Sequence, residues 1–313
     1  MRTRNFKGYY DLFQGDCKDF FFKYQDWDDP YISLKETFQN FFDEIKPYEE
    51  VFGRDLLFFT DEMILSALTD LYYNKDQPSI YIGLIETYFT FYNRAVPNID
   101  IERLNKATLR KRIILDENEL LLIMSKLMSP DSEETLDVMR KSCLILLYYG
   151  VDKNNIPQFK KEQVSDEERK LLFEDGSVFR SNIPDFFMDT LRRCKHMEYA
   201  VSTNQQYTEH NSKIRPLQQT DYLIRSDSML SQSEMIATAF VDKIFSRNDF
   251  RSVGKSLSSN RVIESGFYRW VERKEMTAFT LNEFGKLYEQ YFGKLTSRHR
   301  IYYDNYQIWK TLI

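Results

Sequence analysis

Glycine and proline are scarce in this chain, ten and eight among 313 residues. That disfavours β-sandwiches, barrels and disordered linkers, which need turn residues at short intervals. Three cysteines, Cys17, Cys143 and Cys194, are an odd number without paired spacing and make no disulfide framework. His196, His210 and His299 stand apart, and Cys194-x-His196 has no matching pair, so a zinc site is not expected. The aspartates Asp26, Asp28 and Asp29 lack the calcium-loop pattern. No Walker phosphate loop, G-x-G-x-x-G, G-x-S-x-G or H-E-x-x-H occurs, and nothing indicates a small-molecule enzyme or a cofactor. The N-terminus MRTRNFKGYY carries charge without an apolar stretch behind it, so secretion is not expected and a cytoplasmic setting is. Internal repeats and low-complexity tracts are also lacking.

What the chain has in quantity is aromatic side chains, 25 Phe and 21 Tyr, within a hydrophobic fraction of 42%. Cys143 to Tyr149 is an uninterrupted apolar run, followed at once by Gly150. A run without a polar face belongs to an element buried on all sides. Asp131 and Glu134 give a capping-box start and Gly150 a stop, which predicts one central core helix of about 16 residues. That is too short for a membrane, which needs about 20 apolar residues.

Around it the periodicity predicts a mainly α protein. Helices are expected from Ile32 to a stop at Pro47, from the N-cap Thr60, and from about Ser79 to Asn93. Arg94 to Arg112 is basic and poor in apolar residues, and reads as an interdomain connection, either simply solvated or tracking a nucleic-acid backbone. The expected division is 1–95, a linker over 96–112, and 113–313. Asp116 and Glu119 form another capping box, leading a helix through Leu120–Leu127. Arg169–Glu174 and Val178–Ile183 read as strands of a β-hairpin joined by the two-residue turn Asp175-Gly176. Pro184 opens a helix through Cys194, and Ser202–Thr220 is polar and turn-like. Helices follow at Ser233–Ser246, Asn260–Lys274 and Asn282–Phe292, then an aromatic tail at Tyr302–Tyr306.

Formal charge is −5, yet Lys243–Ile313 holds 13 basic and 7 acidic residues, net +6, leaving −11 for the first 242. Such lateralised charge is the form an electrostatic footprint for nucleic acid takes, though an uneven solvated surface has the same look.

The order of parts, a small helical domain, a basic connection, then a mostly helical domain with one hairpin and a tyrosine near its end, is similar to the phage integrases, or tyrosine recombinases. The resemblance spans about Ile32 to the end. It implies a small SAM-like core-binding domain and an integrase catalytic-like domain that clamp DNA. Where that family has T-G-L-R, this chain has Tyr149-Gly150-Val151-Asp152, so Asp152 holds the place of the first catalytic arginine and Asn155 that of the glutamate. The hairpin turn offers Glu174-Asp175-Gly176-Ser177 and no lysine. Asn260 and Ile263 fall at the H-x-x-R positions, and Tyr303 at that of the nucleophile after Gly293-Lys294. Phosphoryl transfer needs guanidinium groups on the non-bridging oxygens, and Asp152 would repel a phosphate instead. Unless Arg261 or Arg298 compensates, Tyr303 is a vestigial candidate with a packing role.

The resemblance therefore implies a double-stranded DNA-binding protein that no longer cleaves. Its simplest use is as a prophage transcriptional repressor that holds an operator and maintains lysogeny. It implies a nucleoid-associated location, and self-association and an antirepressor as further partners. Expected phosphate contacts are Lys106, Arg110, Lys111 and Arg112 in the linker, and Arg247, Arg251, Lys255, Arg261, Arg269, Arg298 and Arg300 in the C-terminal quarter. The segment Ser246–Arg261 is the first candidate, with a polar surface loop as its other reading. The rival functions are an active recombinase using Tyr303 and a helical protein-interaction module that never touches DNA.

Overall fold

The computed structural model describes residues 15–25, 27, 32–71, 78–127, 135–201, 214–225, 241, 250, 253–274 and 279–313. The expected caps Asp131 and Glu134, the acidic cluster Asp26, Asp28 and Asp29, nearly all of Ser233–Ser246, and Arg247 and Arg251 lie outside these residues. The fold is mainly helical with a small three-stranded antiparallel sheet. It separates into two compact units, Met1–Thr108 and Leu109–Ile313.

The first unit contains α1 (Gly15–Tyr24), α2 (Ile32–Phe52), α3 (Asp61–Leu71), α4 (Pro78–Phe91) and most of α5 (Ile101–Arg112). Its core is a mesh of rings: Phe21 meets Phe38, Phe42, Tyr88 and Phe91 edge-on at 4.9 to 6.0 Å. Thr60 caps α3 as expected, accepting from the Met63 amide at 3.3 Å. Pro47 does not end α2, which runs five residues further. Pro47 itself is exposed, and Glu49 beyond it is buried, accepting from Lys18 Nζ at 2.7 Å and from the Leu56 amide at 2.8 Å. Those two bonds hold the last turn of α2 in helix against the missing proline N–H.

The stretch read as a linker is largely the helix α5. Asp100 caps it through the Arg103 amide at 2.9 Å, and Glu102 pairs with Lys106 one turn on at 2.7 Å. Its few apolar residues are well spaced: Leu104 is buried in the first unit's core and Leu109 in the second's.

The second unit is built on α7 (Thr135–Tyr148), the central helix, in which Cys143 to Tyr149 are all buried. It is preceded by α6 (Glu117–Leu127), whose box closes through the Glu119 amide on Asp116 at 2.8 Å and the Leu115 amide on Glu119 at 2.7 Å. Gly150 ends α7 at φ +91°, with the Val151 amide reaching back to the Leu146 carbonyl at 2.9 Å. This is the left-handed stop that glycine permits.

The sheet consists of β1 (Val164–Ser165), β2 (Lys170–Leu172) and β3 (Val178–Arg180), in that order, with Leu171 opposite both Val164 and Arg180. The hairpin turn is wider than two residues. The Phe173 amide bonds the Ser177 carbonyl at 2.8 Å, Gly176 sits at φ +80°, and Asp175 holds the Ser177 amide at 2.9 Å. Next come α8 (Asp185–His196) and a second antiparallel pair, β4 (Tyr199–Val201) with β5 (Ile214–Pro216). That pair puts a strand inside the stretch read as turn-like.

Three helices complete the unit: α9 (Ser259–Glu272), α10 (Leu281–Phe292) and α11 (Arg298–Trp309). α7 packs against α8 and α9. Gly266 lets α9 approach closely, since a Cβ there would lie 1.6 Å from the Tyr148 carbonyl oxygen. The aromatic tail is helical, and buried Tyr306 and Trp309 turn it into the unit's own core. Among the described residues no helix is long and apolar enough to cross a membrane.

Candidate nucleic-acid interface

The basic residues singled out from the sequence divide into those committed to the fold and those left facing outward. Lys255 is committed. It is 5% exposed, donates to the carbonyls of Arg110 at 2.8 Å and Ile113 at 2.7 Å, and pairs with Glu119 at 2.9 Å. With the Ser256 amide on the Lys111 carbonyl at 2.8 Å, it caps the C-terminus of α5, where carbonyls otherwise lack partners. Burial lowers the Lys255 pKa to about 8, against the pull of Glu119. Its expected phosphate contact is therefore withdrawn: the ammonium points inward.

Arg110 pairs with the same Glu119 at 2.6 Å. Lys111 and Arg112 are half-buried with contacts of their own. Lys106 pairs along α5 with Glu102. Arg261 bonds Glu264 at 2.5 Å, and Glu264 is itself buried and also accepts from Tyr268 and from Asn305 at 2.9 Å. Arg269 divides its donors between Glu117 and Glu272.

Arg298 and Arg300 are exposed. With exposed Lys294 they put three cations within seven residues at the start of α11, and among the described residues no carboxylate stands within ion-pair distance of any of them. The turn carrying them is fixed from beneath. Tyr288 Oη meets Thr296 Oγ1 at 3.0 Å, and the His299 ring nitrogen Nδ1 lies 2.7 Å from the Thr296 carbonyl. The three cations thus stand outward at the N-terminal end of a helix.

Asp152 is exposed and accepts from the Asn154 amide at 2.8 Å in a local turn. Asn260 is exposed on the first turn of α9, whereas Ile263 is buried. The Tyr303 hydroxyl donates to the Phe279 carbonyl at 3.0 Å, and its ring packs 5.4 Å from that of Phe284. That hydroxyl serves the fold.

A second basic region, of which the expected contacts include Arg269 alone, is a cleft of about 570 Å³ between the β3 arm, the end of α7, α9 and α10. Its cations are Arg180, Arg269, Arg273 and Lys274, against one lining carboxylate, Glu117. Arg273 pairs with Glu117, which Arg269 also meets at 3.1 Å. The adjacent Arg273 and Lys274 after α9 are the signal that sequence carries for it. Arg180 gives none, since its setting depends on the fold around β3. No cluster of three metal-ligating side chains occurs among the described residues.

Comparison with protein-family models gives no match, and none of the curated proteins matches the chain.

Proposed function

We propose that this chain binds double-stranded DNA through its second unit without cutting it, and acts as a transcriptional repressor of the prophage kind. The observation that carries the reading is the exposed set Lys294, Arg298 and Arg300, cations without carboxylate partners among the described residues, in the quarter of the chain that carries net +6. Nearby cations that serve the fold, Lys255 and Arg261, are tied to carboxylates, so the two classes are physically distinct. Support for non-cleavage comes from the surroundings of Tyr303: its hydroxyl is occupied by a carbonyl, and Asp152 stands at the arginine's place.

The test is retention of fragments from the surrounding genome in a gel shift at two salt concentrations. Replacing Arg298 and Arg300 by alanine is expected to weaken all duplexes and to reduce the salt slope by roughly one unit per lost phosphate contact. An unchanged slope removes the α11 turn from the interface. Retention of no fragment at low salt overturns DNA binding, and a covalent adduct trapped on a nicked substrate overturns non-cleavage.

A further inference from the structure

The cleft of the second unit holds its cations in an unusual way. Arg180 lies between two rings, its guanidinium carbon 4.1 Å from the centroid of Phe179 and 4.0 Å from that of Tyr291. Nη1 donates to the Phe179 carbonyl at 2.7 Å, while Nε and Nη2 are buried without a hydrogen-bond partner. Lys274 stands with Nζ 4.4 Å over Trp270 and has no carboxylate partner among the described residues. Ring faces attract a cation while leaving its N–H donors unspent. Arg180 thus keeps buried donors unmet beside the Tyr291 ring, while exposed Lys274 holds its ammonium open at the cleft's edge.

The cleft's floor has the same property. Tyr148 and Tyr149 are 2% and 6% exposed, both line the cleft, and neither hydroxyl has a hydrogen-bond partner. A buried polar group left unmet costs about 1–3 kcal/mol, and native structures tolerate few of them. Here two hydroxyls and two guanidinium nitrogens are orphaned around one cavity. The fold holds the cavity's shape: a Cβ at Gly150 would come within 2.7 Å of Tyr291 Oη, and one at Gly266 within 1.6 Å of the Tyr148 carbonyl.

We infer that this cleft is a binding site for a phosphate ester of nucleotide size, gripped by Arg180, Arg273 and Lys274 and hydrogen-bonded by the hydroxyls of Tyr148 and Tyr149. Phosphate is the anion that fits. Guanidinium edges meet its oxygens two at a time, and four lining cations against the one carboxylate Glu117 leave the cleft net positive even with Arg273 paired. The volume lies in the range of ordinary small-molecule sites, and the walls of Phe179 and Trp270 provide the apolar part such sites need. No residue of this site is among Lys294, Arg298 and Arg300, so the inference stands apart from the DNA reading.

The test is calorimetric titration of the full chain with 5′-AMP, 5′-GMP, pyrophosphate and adenosine. The nucleotides are expected to bind, adenosine at least about tenfold more weakly, and Lys274→Gln to weaken the nucleotides by about tenfold. Lys274 is exposed, so this variant keeps its fold. Arg180→Gln, checked by its melting curve, is expected to lose more. No heat and no displacement with any phosphate compound at millimolar concentration overturns the inference. So does nucleotide binding that neither variant weakens, since the nucleotide would then sit elsewhere. A short DNA duplex added to the nucleotide complex separates the two sources of the ester. Displacement assigns the site to a phosphate of the strand, and coexistence assigns it to a free nucleotide; both support it. Failure of the duplex to bind at all would overturn the DNA reading and leave this one standing.

Discussion

Lys18 is wholly buried in the first unit with its ammonium 2.7 Å from Glu49 and 2.7 Å from Asp55, one cation between two carboxylates. Asp55 spends its other oxygen on the Leu57 amide at 3.0 Å, but Glu49 Oε2 has no partner. Burial pushes the Glu49 carboxyl up to about 7, and Lys18 only partly opposes it. A carboxyl whose folded pKa exceeds its unfolded value binds more protons when folded, so it stabilises below the unfolded value and loses that effect as pH rises through the folded one. Stability of the first unit should therefore fall as pH climbs from about 4.5 to about 7. Hydrogen exchange of α2 amides across that window measures it, and Glu49→Gln should flatten the dependence. A dependence that survives the substitution would put the titrating group elsewhere. Gly266 gives a second prediction at this scale. An alanine there drives its Cβ into the Tyr148 carbonyl, and overpacking of this kind costs about 1–3 kcal/mol or more. A second-unit melting temperature equal to the parent's would disprove the close approach.

At the scale of the element, α5 and its cap show how a charge changes meaning with its surroundings. Lys255 closes the end of a helix more than a hundred residues away in sequence. Replacing it with methionine takes from Glu119 one of its two cations and leaves the Arg110 and Ile113 carbonyls without their buried donor, and stability should fall by about 3 kcal/mol in a denaturant titration. The salt slope of DNA binding should not move. A changed slope with unchanged stability would return Lys255 to the surface. The elements themselves are largely legible in the sequence. Thr60, the Asp116 and Glu119 box and Gly150 act within one turn of chain, and such signals survive folding unchanged. Pro47 and the basic stretch mislead because distant partners decide them: Lys18 holds α2 past its proline, and spaced leucines make a helix of a charged segment. The strand β5 is hidden for the same reason, since a three-residue strand ending in proline exists only through its pairing with β4.

Across the whole chain, the net +6 of Lys243–Ile313 is plain in the sequence, but its division into inward and outward charge is not. Sequence gives the sign of a side chain; only the fold gives its neighbour. Exposed cations contribute little to stability, within about 0.5 kcal/mol each. The Arg298→Ala, Arg300→Ala protein should accordingly melt with the parent while its DNA affinity and salt dependence change, and a large drop in melting would make those arginines structural. The candidate cleft is less legible than the charge. Its walls meet only once α9 lies on α7, and Tyr148 and Tyr149 read in sequence as the end of a core run.

The seam between α7 and α9 has a consequence for descent. Tyr148 offers its backbone oxygen, not its side chain, to the approaching helix, so the contact is indifferent to which residue stands at that position. It is not indifferent at Gly266, where any side chain is excluded, nor at Gly150, where both the backbone angle and Tyr291 exclude one. The rest of the seam can drift through aromatic and aliphatic substitutions while these two remain. Kin of this chain, however far diverged, should carry the same pair of glycines, one closing an apolar helix and one bare in the middle of an amphipathic one.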